Sequence, residues 1–234
     1  MEFFTNVFFL IALTFVFYVG AQYIQRKTGL QLLNPILVSV MAMICLLSGL
    51  GIDYETYEEG GAYIDFWLKP AVVALGVPLY KQLSNIRKQL LPLLISELAG
   101  CIVGIVSVVL LAKLFGATHE VVVSLAPKSV TTPIAMEISS AVGGIPALTA
   151  AVVVCTGIFG GMAGFRIVRM SHIRSNIASS LSIGTAAHAV GTSAVMVHGE
   201  RFGAFSSLGL TINGLFTALL TPFLLEMLGL GGLI

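Results

Sequence analysis

EVVVSLAPKSVTTPIAMEISSAVGG, residues 120–144, is an apolar run interrupted at its centre by a lysine and three hydroxyls set between two prolines. Pro127 and Pro133 each lack a backbone N–H and disfavour helix at the residue before them. The amides and carbonyls from Lys128 to Thr132 are therefore left without helical partners. In a water-exposed loop that costs little. Inside a bilayer such backbone survives only where it is buried in protein or lines a wet cavity.

The rest of the chain decides which setting applies. Of its 234 residues 57% are hydrophobic and only 10% charged, and the mean hydropathy is +0.99. A soluble domain carries roughly a quarter charged residues, so this chain is expected to be an integral membrane protein, one domain over 1–234. The formal net charge is +1, with no dense basic cluster, which argues against a nucleic-acid partner. Cys45, Cys101 and Cys155 lie in separate apolar runs without ligand spacing and read as buried free thiols, so neither a metal nor a cofactor is expected. The segment beginning MEFFTNVFF has an acidic start and no small-residue cleavage site, and reads as a first spanning helix. No nucleophile stands at a useful spacing from a base and no phosphate loop is present, so an enzyme is not expected.

Runs long enough to cross ~30 Å of hydrocarbon cover 3–23, 33–50, 64–79, 90–115, 146–167, 177–197 and 206–228. The predicted fold is all-α: a polytopic bundle of seven spanning helices plus a broken or re-entrant segment at 119–142. Arg26 and Lys27, Lys81, Arg87 and Lys88, and Arg166, Arg169 and Arg174 follow the first, third and fifth of these runs and place their ends in the cytoplasm. The acidic connection DYETYEEGGAYID, 53–65, suits the outside. On this count 119–142 enters and leaves on the same face, with its tip near Lys128 to Thr132; a broken helix crossing fully would instead move the C-terminus outside.

The halves 1–116 and 117–234 echo each other. Pro35, Leu37 and Gly49 recur at one offset as Pro146, Leu148 and Gly160, and VVALGVP, with Gly76 and Pro78, matches AHAVGTS, with Gly191. Paired segments in opposite senses, with interrupted helices at matching places, are the pattern of an inverted-repeat transporter whose site lies near the midplane.

Two constellations could form that site. In PKSVTTP, Ser129, Thr131 and Thr132 can donate to an anion, free amides open the second arm, and Lys128 adds a full charge, which together describe a seat for a carboxylate. Alternatively the hydroxyls repair a kink and Lys128 snorkels to the headgroups. In SIGTAAHAVGTS, 182–193, small residues permit close backbone approach, while Thr185, His188, Thr192 and Ser193 are polar in mid-segment. His188 either contacts a carboxylate or a coupling proton, or is satisfied by one interhelical bond. Glu97 and Glu137 are intramembrane carboxylates that either carry a coupling proton or pair with a nearby base, Lys69 is expected at the interface, and Asn34 before Pro35 is expected to cap a helix.

PKSVTTPIAMEIS, GGIPALTA, TGIFGG, GTAAHAVGTS, LNPIL and KPAVVALGVPLYKQL together resemble the LrgB/CidB family of bacterial membrane proteins and the matching portion of the plant plastid glycolate/glycerate translocator. The resemblance covers nearly the whole chain. It implies a multi-pass protein of the bacterial inner membrane, which is either a secondary carrier of small monocarboxylates such as glycolate, glycerate or pyruvate, or a holin-like or antiholin-like regulator of murein hydrolase activity and autolysis. The partners it implies are a small carboxylate solute, the lipid bilayer, a small LrgA/CidA-type membrane protein and further copies of the chain. Lys128, Ser129, Thr131, Thr132 and Pro133 match the family's PKSVTTP motif, and His188, Gly191 and Thr192 its HAxGT motif. After GTS the family commonly carries Arg or Lys, where this chain has Ala194.

Overall fold

The computed structural model describes residues 6–30, 33–67, 70, 73–74, 76–81 and 83–230, and all regular structure among them is helical. Lys69 lies outside the described residues. The chain divides into two compact units, Met1–Ala74 and Leu75–Ile234.

The first unit holds α1 (Val7–Thr28), α2 (Pro35–Leu50) and α3 (Tyr54–Asp65). Asn34 caps α2 as expected, its side-chain oxygen accepting from the amides of Ile36 and Leu37 at 2.9 and 3.4 Å. Asn6 does the same for α1, and Gly29 and Gly51 close the two helices in the left-handed conformation. The acidic connection after α2 is largely helical rather than a loop. Glu55 sits in the first turn of α3, where a negative charge suits the helix dipole. Gly60 lets α3 approach α1 so closely that a Cβ there would lie 3.2 Å from the Val7 carbonyl.

The second unit holds α4 (Gly76–Lys81), α5 (Leu83–Lys88), α6 (Leu90–Leu114), α7 (His119–Leu125), α8 (Thr132–Ala141), α9 (Pro146–Met170), α10 (Asn176–Met196) and α11 (Glu200–Met227). Gly76 and Pro78, expected as a break, lie within α4.

Residues 119–142 double back. Ser124 near the end of α7 and Ser139 near the end of α8 both meet the Thr149 hydroxyl of α9, which lies 2.9 Å from the Ser124 carbonyl and 2.7 Å from Ser139 Oγ. A straight broken helix would hold them about 20 Å apart.

The second interruption is a hairpin as well, which the sequence reading did not anticipate. α10 reverses at Ala187 (φ −130, ψ 17) and His188 (φ 43, ψ −140). A Cβ on Gly191 would lie 3.0 Å from the Ile183 carbonyl; along an unbroken helix the two residues are separated by about 12 Å of axial rise. Both arms meet one turn of α11: Gly184 abuts the Ser206 carbonyl, and Thr192 Oγ1 is 2.9 Å from Ser206 Oγ. The run 177–197, expected as a full span, therefore enters and leaves at one end.

Among the described residues four helices are long and apolar enough to cross a membrane: α1, α6, α9 and α11. This differs from the expected seven. α2 is short at 16 residues, the run at 64–79 is not one continuous helix, and 177–197 turns back.

Inside the second unit α6 and α11 run in the same sense. Lys113 Nζ donates to the Leu228 carbonyl at 2.7 Å at one end, and α4 joins the start of α11 through the Lys81–Glu200 ion pair of 2.9 Å at the other. α9 runs against them. The first arm of α10 descends α9 from Gly164 to Gly157, so the two hairpins enter from opposite ends. The basic residues sort accordingly: Lys81, Arg87, Lys88, Arg166, Arg169, Arg174 and Arg201 lie at the α10 end and Lys113 at the other. Apolar packing holds each end. Val109, Val122, Val123 and Leu225 form one cluster, and Ile86, Leu93, Leu181 and Phe205 the second.

Candidate functional site

The hairpin tips meet at the middle of α11. Between Leu125 and Thr132 two tight turns form, with Lys128 N bonded to the Leu125 carbonyl and Val130 N to that of Pro127, and the carbonyl of Ser129 is left for another partner. In α10 the reversal frees the carbonyl of Thr185. Asn213, 1% exposed, donates its side-chain amide to both, at 3.3 Å to Ser129 O and 3.0 Å to Thr185 O. One carboxamide thus ties the two interrupted backbones, supplying what their lost helical bonds would have supplied.

Beside this bridge lies a cavity of about 400 Å³, lined among others by Ser96, Glu97, Lys128, Ser129, Thr185 and Asn213. A second cavity of about 420 Å³, against Thr156, Gly160 and Ala187, shares Lys128, Ser182 and Ala186 with the first. Lys128 Nζ donates to Ser129 Oγ at 3.0 Å. Glu97, 2% exposed, accepts from Thr185 Oγ1 at 2.6 Å through Oε1, while its Oε2 has no partner among the described residues. Lys128 and Glu97 do not form an ion pair; the one recorded among the described residues joins Lys81 and Glu200. The site therefore holds a cationic group, an acid group and six hydroxyl or amide side chains, those of Ser96, Ser129, Ser182, Thr185, Asn213 and Thr217, around open space.

The residues singled out from sequence divide. Lys128, Ser129 and Thr185 line the cavity together. Thr131 stands at the N-cap position of α8 without a side-chain cap bond, Thr132 and Pro133 begin that helix, and Pro127 is buried in the turn. His188, Thr192 and Ser193 are not among the lining residues. The His188 ring is buried, with Nε2 2.9 Å from the Val153 carbonyl of α9, and Thr192 Oγ1 donates to the His188 carbonyl at 2.9 Å. Ser193 is exposed and bonds the Val190 carbonyl of its own helix. Gly191 lies where the two arms touch, next to the reversal rather than in it.

The reversal is built by its neighbours. A Cβ on Gly157 would stand 2.7 Å from the His188 ring, and one on Gly160 would strike Ala187, so the TGIFGG glycines of α9 hold the room for the turn. A non-glycine residue at φ 43 costs about 1–3 kcal/mol, which the Val153 and Thr192 bonds offset.

Elsewhere Glu137 is exposed, and so are His119, His172 and His198, the last against Phe165 with ring centroids 4.3 Å apart. Cys45 and Cys155 are exposed rather than buried, and Cys101 is buried with its thiol 3.4 Å from Thr217 Oγ1. Asn213 was not anticipated; its signal is a lone carboxamide in the apolar run LTINGLFTALL.

A helical membrane protein with a polar cavity where two opposed hairpins meet is the class these features define. Residues 14–227 match the LrgB-like family, and the chain belongs to it. It is 35% identical over 216 residues to a protein of Staphylococcus epidermidis named holin-like protein CidB, covering 92% of this chain and 94% of that one. It is 33% identical over 225 residues to the Staphylococcus aureus protein of the same name, with 96% and 98% covered, and 34% identical over 213 residues to YxaC of Bacillus subtilis, with 91% and 93% covered. No solved structure matches the chain.

Proposed function

We infer that the protein changes the permeability of the membrane it sits in, in the holin-like sense its relatives' names carry. The support is 33–35% identity over more than nine-tenths of chains so named. On this reading the chain is a multi-pass protein of the bacterial inner membrane, works as a homo-oligomer and pairs with a small LrgA/CidA-type membrane protein. The positive-inside rule puts the end bearing Arg166, Arg169, Arg174 and Arg201 in the cytoplasm.

One observation favours a narrower reading, a secondary carrier of small monocarboxylates: Lys128 faces a cavity at the junction of two broken backbones. In that reading Lys128 and Ser129 hold the carboxylate, with Thr131 and Thr132 at the start of α8 behind them. Thr185 and Asn213 shape the opposite wall. His188 and Thr192 hold the α10 reversal and act on the solute through it, and Ser193 takes no part. The two hairpin-and-helix pairs, 119–170 and 176–227, form the inverted repeat, a role first expected of the halves 1–116 and 117–234. The lining reaches Ile173 in the turn after α9, so the cavity opens toward the cytoplasm.

Proteoliposomes of the purified chain separate the readings. A carrier takes up labelled glycolate or pyruvate saturably, retains an encapsulated dye, and loses uptake in K128A. A holin-like permeability factor releases the dye, and K128A leaves that release unchanged.

A further inference from the structure

We propose that Glu97 is the proton-carrying group of the cavity, so that a small carboxylate seated at Lys128 crosses together with one proton held on the Glu97 carboxyl. This rests on the carrier reading above.

The unpartnered oxygen is the starting point. Glu97 is 2% exposed; Oε1 is held by Thr185 at 2.6 Å and Oε2 has no protein partner among the described residues. A buried carboxyl oxygen without a hydrogen bond is costly whether the group is acid or anion. Glu97 is a lining residue of the cavity, which can supply that partner. Lys128 lines the same cavity; among the described residues its Nζ bonds Ser129 Oγ and makes no ion pair with Glu97, so the two charged groups share one cavity without neutralising each other by contact.

Charge balance then makes the coupling obligatory. With the cavity empty, Lys128 is offset by ionised Glu97 and the site is neutral. With a carboxylate bound and Glu97 protonated, the site is neutral again. Binding only the anion, or only the proton, leaves one net charge near the middle of the bilayer, which is expensive. The proton comes from the water on the loading side, sits on a carboxyl oxygen of Glu97, and returns to water on the release side, so each turn moves one anion and one proton. No covalent bond of the solute changes.

The other ionisable groups nearby do not take this part. Cys101, one turn along α6, keeps its thiol 3.4 Å from Thr217. His188 turns its ring to the Val153 carbonyl, away from the cavity. From α11 the wall presents Asn213 and Thr217, which do not titrate.

The test uses the full chain in liposomes and counts only uptake of labelled pyruvate or glycolate that K128A abolishes. The wild type is expected to accumulate solute at least about tenfold more with an alkaline lumen than without a gradient. An imposed membrane potential should have no effect, and an internal pH dye should record one proton per solute. In E97Q the gradient response is expected to fall below about twofold. A gradient response in E97Q equal to the wild type overturns the proposal and leaves the carrier reading intact. If E97Q carries no solute at all, the wild-type stoichiometry decides: electrogenic uptake without proton entry overturns the proposal. Absence of Lys128-dependent uptake in the wild type overturns the carrier reading itself.

Discussion

Replacing Asn213 with leucine removes the donor that ties the two hairpin tips while keeping a side chain branched at the same carbon. The carbonyls of Ser129 and Thr185, 3.3 and 3.0 Å from Nδ2, both lose a partner at a position 1% exposed. Leaving a buried acceptor unsatisfied costs about 1–3 kcal/mol in soluble proteins, while hydrogen bonds between membrane helices average about 0.6 kcal/mol. With one of the two bonds long, the loss for N213L is about 1–4 kcal/mol. Equilibrium unfolding in mixed micelles of increasing SDS fraction measures it. N213D, which keeps the shape and lacks the NH2 donors, should lose at least as much as N213L. S107A, which removes an exposed hydroxyl bonded to the Gly104 carbonyl of its own helix, should stay within about 0.5 kcal/mol of wild type. If N213L unfolds at the wild-type SDS fraction, the two breaks are not held by this carboxamide and the reasoning is refuted.

Three further outcomes follow from the same geometry. In G184L a side chain is forced into the Ser206 carbonyl, so α10 cannot seat on α11 and the yield of monodisperse protein should drop severely; normal yield by size-exclusion chromatography would contradict the packing. T149V removes the hydroxyl that joins Ser124 and Ser139 and should lower stability by about 1–3 kcal/mol in the same SDS assay. K81A breaks an ion pair whose side chains are 53% and 70% exposed and should shift stability by no more than about 1 kcal/mol at ordinary salt; a larger loss would mean the pair anchors α4.

Some of this architecture is legible in the sequence because it is coded locally. Two prolines and a lysine in an apolar run announce the first break, and Asn34 before Pro35 announces a helix start. The second hairpin is not coded that way. Its reversal falls on Ala187 and His188, neither a glycine nor a proline, and is imposed by the gap that Gly157 and Gly160 leave on α9 and by bonds to Val153 and Asn213. Hydropathy therefore counted 177–197 as one span. Arg201 held the corrective signal: a full crossing would have put it opposite Arg166, Arg169 and Arg174, whereas a hairpin gathers all four at one end. Glu97 showed in the sequence as an intramembrane acid, but its place in one cavity with Lys128 depends on how α6, α10 and α11 assemble.

The account as a whole requires the meeting point of the two hairpins to be an aqueous, solute-sized space beside Lys128. Ala186 is exposed and lines both cavities there. With Cys45, Cys101 and Cys155 replaced, an A186C protein in membranes should react with a water-soluble thiol reagent, and millimolar pyruvate or glycolate should slow the reaction several-fold only while Lys128 is present. An A186C thiol that stays unreactive until the protein is unfolded would mean the tips close on dry protein, which contradicts the account.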